Sequence, residues 1–309
     1  MGTYIHDALK IRNINNSSLS LGTDTEGNFF VPESAVSVTM RCTLNCKLCT
    51  VKTSMYKTPE HPPLTDIKRW FTRYFEIADF TMKLTITGGE PLLRKDLGEI
   101  VEYLSAYKNQ FGRLRINTNG TIVPNDKLVA ALDLYKTPDY HQAEVLIDDY
   151  PASTNVQSAA EMLEETGIPY IVRNYRSGDY WFDGWVNYGD FKRKSNIVRN
   201  CNCRHVALYL RREKIYFCDK QPSYEDFSPH DGNLGLYGEY VLLSDDGIPV
   251  AEKRKQIQYL FNLNLLRACY FCNGRSEDSK RYKPAQQFTA QELNELRRDF
   301  VAGEEGVCV

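Results

Sequence analysis

The chain is predicted to be an α/β protein built around an open or partial parallel barrel. Three observations support this. Between about residues 35 and 175, short β-branched runs alternate with amphipathic stretches, as in repeated strand–helix units with right-handed crossovers. The units number five or six, too few for the eight of a closed barrel. After about residue 176 the texture changes to aromatic, glycine-rich sequence, then a hairpin and two helices.

Residues 35–40 read as the first strand and 64–78 as a helix with Thr65 as its N-cap. Residues 82–87 form the next strand. The helix at 95–108 has Leu97, Ile100, Val101 and Leu104 at i, i+3, i+4, i+7 spacing. Residues 113–118 are a strand ended by the turn signal Asn119-Gly120. Helix 127–135, strand 144–147, helix 153–166 and strand 169–173 complete the series. Further on, 206–210 and 215–217 flank the polar turn Arg211-Arg212-Glu213-Lys214 as a hairpin. Residues 251–266 and 289–301 read as helices, the second opened by the capping box Thr289-Ala290-Gln291-Glu292. The first 34 residues are polar and carry no clear element.

With 309 residues the chain is long enough for one large domain and an appendage. A net charge of −2 shows no basic excess for nucleic acid. No run approaches the roughly 18 apolar residues of a membrane span. The start Met1-Gly2-Thr3-Tyr4-Ile5-His6-Asp7 has no apolar secretory core. Nine cysteines grouped as CxxxCxxC, CxC and CxxC in a long chain point to metal rather than disulfides. The expected setting is cytoplasmic and oxygen-sensitive, with no nucleic-acid or membrane partner.

Cys42, Cys46 and Cys49 lie directly after a predicted strand. Three thiolates on one loop can wrap one face of a cubane cluster and leave one iron open to a small molecule; a structural zinc site is the alternative. Thr87-Gly88-Gly89-Glu90-Pro91 ends the next strand. Its paired glycines would let a ligand approach the backbone, whose amides and carbonyls can bind an ammonium or carboxylate.

On these motifs, together with Thr118-Asn119-Gly120, residues 35–175 resemble the radical S-adenosylmethionine superfamily. The resemblance implies a partial (β/α)6 TIM-like barrel and a 4Fe–4S cluster chelated by the amine and carboxylate of S-adenosylmethionine. It implies that Gly88, Gly89, Glu90 and Pro91 receive the methionyl amine and that Asn119 lies near the ribose. Arg173 would pair with the methionyl carboxylate or form an ordinary barrel salt bridge. Leu48 departs from the family, which often has an aromatic residue there beside the adenine.

Cys201, Cys203, Cys218, Cys269 and Cys272 form a second constellation, since a CxxC plus cysteines at a hairpin base makes a four-thiolate site. A zinc ribbon and unliganded buried thiols are the alternatives. The pattern resembles the auxiliary-cluster extension SPASM, and more closely its one-cluster form, twitch, although Glu213 stands where glycine is usual. The C-terminal hairpin and helices would then hold a second 4Fe–4S cluster. One of Cys201 and Cys203 would be spare, and that residue or Cys308 is a candidate hydrogen donor. The expected division is an N-terminal extension (1–34), the barrel (35–190), the auxiliary domain (191–285) and a C-terminal helix and tail (286–309).

The resemblance implies reductive cleavage of S-adenosylmethionine to a 5′-deoxyadenosyl radical, with flavodoxin or ferredoxin as the external one-electron reductant. If the second cluster accepts an electron, the outcome is oxidation; if a cysteine returns hydrogen, it is epimerisation. Trp181, Phe182, Trp185 and Tyr188, interleaved with Asp179, Asp183 and Asp190, suit a carbohydrate-like substrate, or they join barrel to appendage. The leading expectation is oxidation of a secondary alcohol. Epimerisation follows, then peptide modification; a non-catalytic metal-binding interaction protein is the remaining class.

Overall fold

The structure, a computed structural model, describes residues 21–24, 26–178, 180–182, 201, 207–227, 239–263, 265–275, 277 and 279–301. The strands in chain order are β1 (Gly22–Thr23), β2 (Phe29–Thr39), β3 (Phe80–Gly88), β4 (Phe111–Thr118), β5 (Ala143–Asp149) and β6 (Tyr170–Asn174). They continue with β7 (Trp181–Phe182), β8 (Leu208–Arg211), β9 (Lys214–Tyr216), β10 (Val241–Leu242) and β11 (Arg281–Tyr282). The α-helices are α1 (Leu64–Ile77), α2 (Leu97–Leu104), α3 (Asp126–Asp133), α4 (Val156–Glu165), α5 (Gln221–Phe227), α6 (Val250–Asn262) and α7 (Ala290–Val301).

The main sheet runs β10-β9-β8-β2-β3-β4-β5-β6, with β1 beside β2. From β8 to β6 every pairing is parallel, and β10 and β6 are left as edges, so the barrel is open as expected. Helices α1 to α4 each connect one parallel strand to the next. Along the strands, Val36, Val38, Leu84, Ile86, Leu114, Ile116, Val145 and Ile147 are fully buried in the core shared with these helices. The alternate residues face the other way, into the lumen.

Three expectations need correction. β2 begins at Phe29, six residues before the predicted start, and Phe29, Phe30 and Val31 are buried. Pro32 hides this strand in the sequence. It is tolerated because β2 pairs with β1 only at Phe29–Phe30 and with β8 only at Ser34–Val36, so no ladder bond is lost beside it. Thr65 is not the cap of α1: the helix starts at Leu64 with Pro63 as N-cap, and Pro63 supplies the carbonyl for the Asp66 and Ile67 amides. The predicted hairpin exists as β8–β9, but β8 also pairs in parallel with β2 and so joins the barrel sheet.

The turn of that hairpin is unusual. Arg212 and Glu213 both adopt left-handed backbone (φ 53° and 61°), which explains why glycine would be favoured there. Their side chains hold the conformation: Glu213 accepts from Arg69 Nε at 2.7 Å, and Arg212 pairs with Glu60 and Asp226. The predicted capping box is present, with Glu292 N bonding Thr289 Oγ1 at 3.2 Å and Thr289 N bonding Glu292 Oε2 at 2.8 Å.

Candidate active site

A cavity of about 690 Å³ opens at the C-terminal ends of β2 to β6 and extends down the lumen. That size is ordinary for a small-molecule or cofactor site. Its mouth is lined by Cys42, Cys46 and Cys49, its wall by Gly88, Gly89, Asn119 and Arg173, with Leu48 beside the cysteines.

The cysteine loop leaves β2 and is held from both sides. Asn119, at the end of β4, directs its Nδ2 to Thr43 Oγ1 at 3.0 Å and toward Cys42 Sγ at 3.6 Å. On the other side Gln287 donates to Cys46 Sγ at 3.3 Å and accepts from Asn45 N at 2.7 Å. Lys47 N and Phe288 N add backbone bonds to Gln286 O and Asn45 O, and Lys47 pairs with Glu292 at 2.5 Å. Residues 286–292 therefore clamp the loop, a role the sequence reading did not assign to them. Nothing local signals a contact across more than 240 residues.

Backbone packing requires both glycines. A Cβ on Gly88 would fall 2.1 Å from Thr39 O, and one on Gly89 2.1 Å from Arg41 O. Gly88 also has φ +134°. Strand β3 thus ends in backbone contact with the start of the cysteine loop, and Gly89 N and Glu90 N are spent on Thr39 O and Arg41 O at 2.7 and 2.8 Å. These two amides are therefore taken up within the protein.

Glu90 and Pro91 lie behind this wall, fully or nearly fully buried. The Glu90 carboxylate accepts from Asn119 N at 2.7 Å, Thr118 Oγ1 at 2.9 Å and Leu92 N at 3.0 Å. It ties the second motif to the end of the third barrel strand. Burial outweighs these donors and pushes its pKa up to about 7.

Arg173 makes a two-point contact with Asp148, Nε to Oδ1 at 2.6 Å and Nη2 to Oδ2 at 2.9 Å. The side chain also borders the cavity. Tyr150 donates to the same Asp148 at 3.1 Å and stacks on Tyr175 at 5.2 Å. Trp181 meets Tyr150 edge-on at 5.3 Å and lines the cavity with Tyr180. Phe182 lies in β7 beside β11. Trp185, Tyr188, Asp179, Asp183 and Asp190 lie outside the described residues, as do Cys203 and Cys308.

Of the second constellation, Cys201 and Cys269 are buried and Cys218 and Cys272 half-buried. Cys201 Sγ accepts from Arg275 N and Cys272 Sγ from Gly274 N, each at 3.3 Å. Two thiols separated by 71 positions therefore meet consecutive amides of one loop. Asp219, Lys220 and Arg275, from this region, rim the cavity.

The donor set of the cysteine loop suits an iron–sulfur cluster. Among the described residues no three Cys, His, Asp or Glu side chains converge on a position for one metal ion. The three loop thiols instead face one cavity, and side-chain amides point at two of their sulfurs. Donors to sulfur are what tune a cluster. Burial pushes the Cys42 thiol up to about 12 and raises Cys46 as well, so metal loading must expel protons.

With fold and site described, the class is defined: a partial α/β barrel with a thiol-lined cavity at its strand ends. Residues 36–142 match the family model described as the Radical SAM superfamily, and this segment of the chain is similar to that superfamily. A GTP 3′,8-cyclase of Campylobacter curvus is 36% identical over 85 residues, 28% of this chain and 26% of that protein. A GTP 3′,8-cyclase of Helicobacter pylori is 36% identical over 90 residues, 28% and 27% of the two chains. The matches thus span about a quarter of these curated relatives. A crystal structure of BtrN in complex with AdoMet and 2-DOIA shares the fold, with a TM-score of 0.53, 15% identity, and coverage of 84% of this chain and 98% of that one. No described helix is long and apolar enough to cross a membrane.

Proposed function

We propose that this chain is a radical S-adenosylmethionine enzyme of the cytoplasm that oxidises a secondary alcohol of a small polar, carbohydrate-like substrate. In this reading Cys42, Cys46 and Cys49 hold a 4Fe–4S cluster. S-adenosylmethionine lies against Gly88, Gly89, Leu48 and Asn119, with Glu90 and Pro91 bracing the wall. The observation that carries the reading is convergence: three thiols, the Gly-Gly turn and Asn119 come from three strand ends and border one cavity. When bound, the cluster and S-adenosylmethionine supply an electron and a hydrogen-abstracting radical.

The protein's own residues bind, orient and shield. The carbonyls of Gly88 and Gly89 are suited to an ammonium. Asn119 links the cofactor wall to the cysteine loop through Thr43. The Asp148–Arg173–Tyr150 group offers acceptors and donors for substrate hydroxyls. Tyr150, Tyr175 and Trp181 supply ring faces and edges suited to sugar C–H groups.

Cys201, Cys218, Cys269 and Cys272 would hold a second 4Fe–4S cluster in the 191–285 segment and receive the substrate electron. The neighbouring amide bonds to Cys201 and Cys272 support Cys201 as the fourth ligand. Cys203 is then the spare thiol. An external flavodoxin or ferredoxin would reduce the first cluster.

The test is anaerobic reconstitution followed by dithionite and S-adenosylmethionine. The expected result is about eight irons per chain, four for each 4Fe–4S cluster, together with release of 5′-deoxyadenosine. Bound zinc with no deoxyadenosine contradicts the reading.

A further inference from the structure

The inner face of the barrel carries more charge than this function uses. In register across the sheet, Glu33 stands beside Lys83 and Lys83 beside Arg113. One pleat higher, Thr85 stands beside Arg115 and Arg115 beside Glu144. Glu33 and Lys83 neutralise each other at 2.5 Å. Arg113 and Arg115 both close on Glu144, through Arg113 Nη1 to Oε2 at 2.9 Å and Arg115 Nε to Oε1 at 2.6 Å. Two guanidiniums share one carboxylate, so one positive charge on this floor has no counter-charge within the group.

That charge faces the cavity. Arg115 lines it, whereas Arg113 and Glu144 do not. Arg115 turns Nε and Nη2 to Glu144, and its Nη1 makes no hydrogen bond among the described residues. One pleat along the same strand, Asn117 also lines the cavity, and its side-chain oxygen is buried without a hydrogen-bond partner among the described residues. Thr85 brings a hydroxyl to the same wall. A buried amide oxygen left unbonded is costly and calls for a partner. A guanidinium with a free edge is suited to an anionic oxygen.

We propose that Arg115, Thr85 and Asn117 form a subsite for an anionic group of the substrate, a carboxylate or a phosphate. The anion meets the free edge of Arg115 and the Thr85 hydroxyl, and an adjacent hydroxyl or amine of the substrate donates to Asn117. The inference rests on the cavity being the substrate site, as proposed above, and it narrows the substrate to an acidic polar molecule. With its anion at the barrel floor, the rest of that molecule extends toward the cysteine mouth.

The probes are inorganic phosphate and acetate, titrated calorimetrically at low salt into the cluster-reconstituted protein. Wild type is compared with Arg115→Gln and Asn117→Asp, the latter matching the native shape while adding a repelling charge. Saturable binding of at least one anion is expected, weakened tenfold or more in both variants. Preference for phosphate assigns a phosphate ester, and preference for acetate a carboxylate. No binding to wild type, or wild-type affinity in either folded variant, overturns the proposal. Should Arg115→Gln fail to fold, Asn117→Asp decides alone. Deoxyadenosine formation is measured on the same wild-type preparation. Its presence without anion binding overturns only the subsite. Anion binding without it overturns the assigned function and leaves an anion site.

Discussion

Gln287 donates its side-chain amide to the sulfur of Cys46 at 3.3 Å while its oxygen accepts from the amide of Asn45 at 2.7 Å. One residue near the end of the chain thus holds the middle of the cysteine loop in place. A net hydrogen bond of this kind contributes about 1 kcal/mol. Gln287→Ala is expected to speed loss of iron to a chelator several-fold from the reconstituted protein, with the fold retained by circular dichroism. An unchanged rate of iron loss contradicts the clamp.

Glu90 makes the apoprotein's stability depend on pH. Its folded pKa of about 7 lies above the roughly 4.3 of an unfolded glutamate. Between those values the native carboxyl keeps a proton that the unfolded one has lost. Stability from this group is full below about pH 4.3, falls as pH rises, and levels off above about 7. Glu90→Gln removes that slope, so the stability difference between wild type and variant should change across pH 4.3–7 and be flat above. Urea unfolding at several pH values checks this, and a difference independent of pH contradicts it.

Cys201 and Cys203 should separate cleanly. Cys201→Ala is expected to lower bound iron from about eight to about four per chain, the loss of one 4Fe–4S cluster. Cys203→Ala should leave iron unchanged. The reverse pattern would assign Cys203 as the ligand and free Cys201 as the hydrogen donor. Turnover in heavy water then distinguishes the outcomes: a carbonyl product marks oxidation, and solvent deuterium on carbon marks epimerisation.

At the β8–β9 turn, Glu213→Gly trades two effects. Glycine relieves left-handed strain of about 1–2 kcal/mol, while the contacts it removes, with half-exposed Arg69 and with Ser244 and Trp70, lie at a solvent-screened turn. The variant should be as stable as wild type or slightly more so in urea unfolding. Clear destabilisation would show that the side-chain contacts of Glu213, rather than the backbone, set the turn.

Much of this site could be read in the sequence because it is local. The spacing of Cys42, Cys46 and Cys49, the Gly88-Gly89 turn and the Thr289–Glu292 box each depend on a few consecutive residues. What was not legible depends on tertiary pairing. Pro32 masked the start of β2, since only its neighbours in the sheet make a proline acceptable there. The parallel pairing of β8 with β2, and the reach of Gln287 to Cys46, have no sequence signal at all. The polar lumen is a different case. Lys83-Leu84-Thr85-Ile86-Thr87 and Arg113-Leu114-Arg115-Ile116-Asn117 alternate with a period of two, and that alternation already separates an apolar outer face from a charged inner one. Read as strands alone, these segments concealed the residues that now define the proposed anion subsite.

The central claim is that the cysteine loop and the Gly-Gly turn form one cofactor site. It is tested most directly by electron paramagnetic resonance of the dithionite-reduced protein, with and without S-adenosylmethionine. A reduced 4Fe–4S signal whose g-values shift on adding S-adenosylmethionine is the predicted result, with the shifting signal absent in Cys46→Ala. A cluster signal indifferent to S-adenosylmethionine, or one retained in full by Cys46→Ala, would contradict the account.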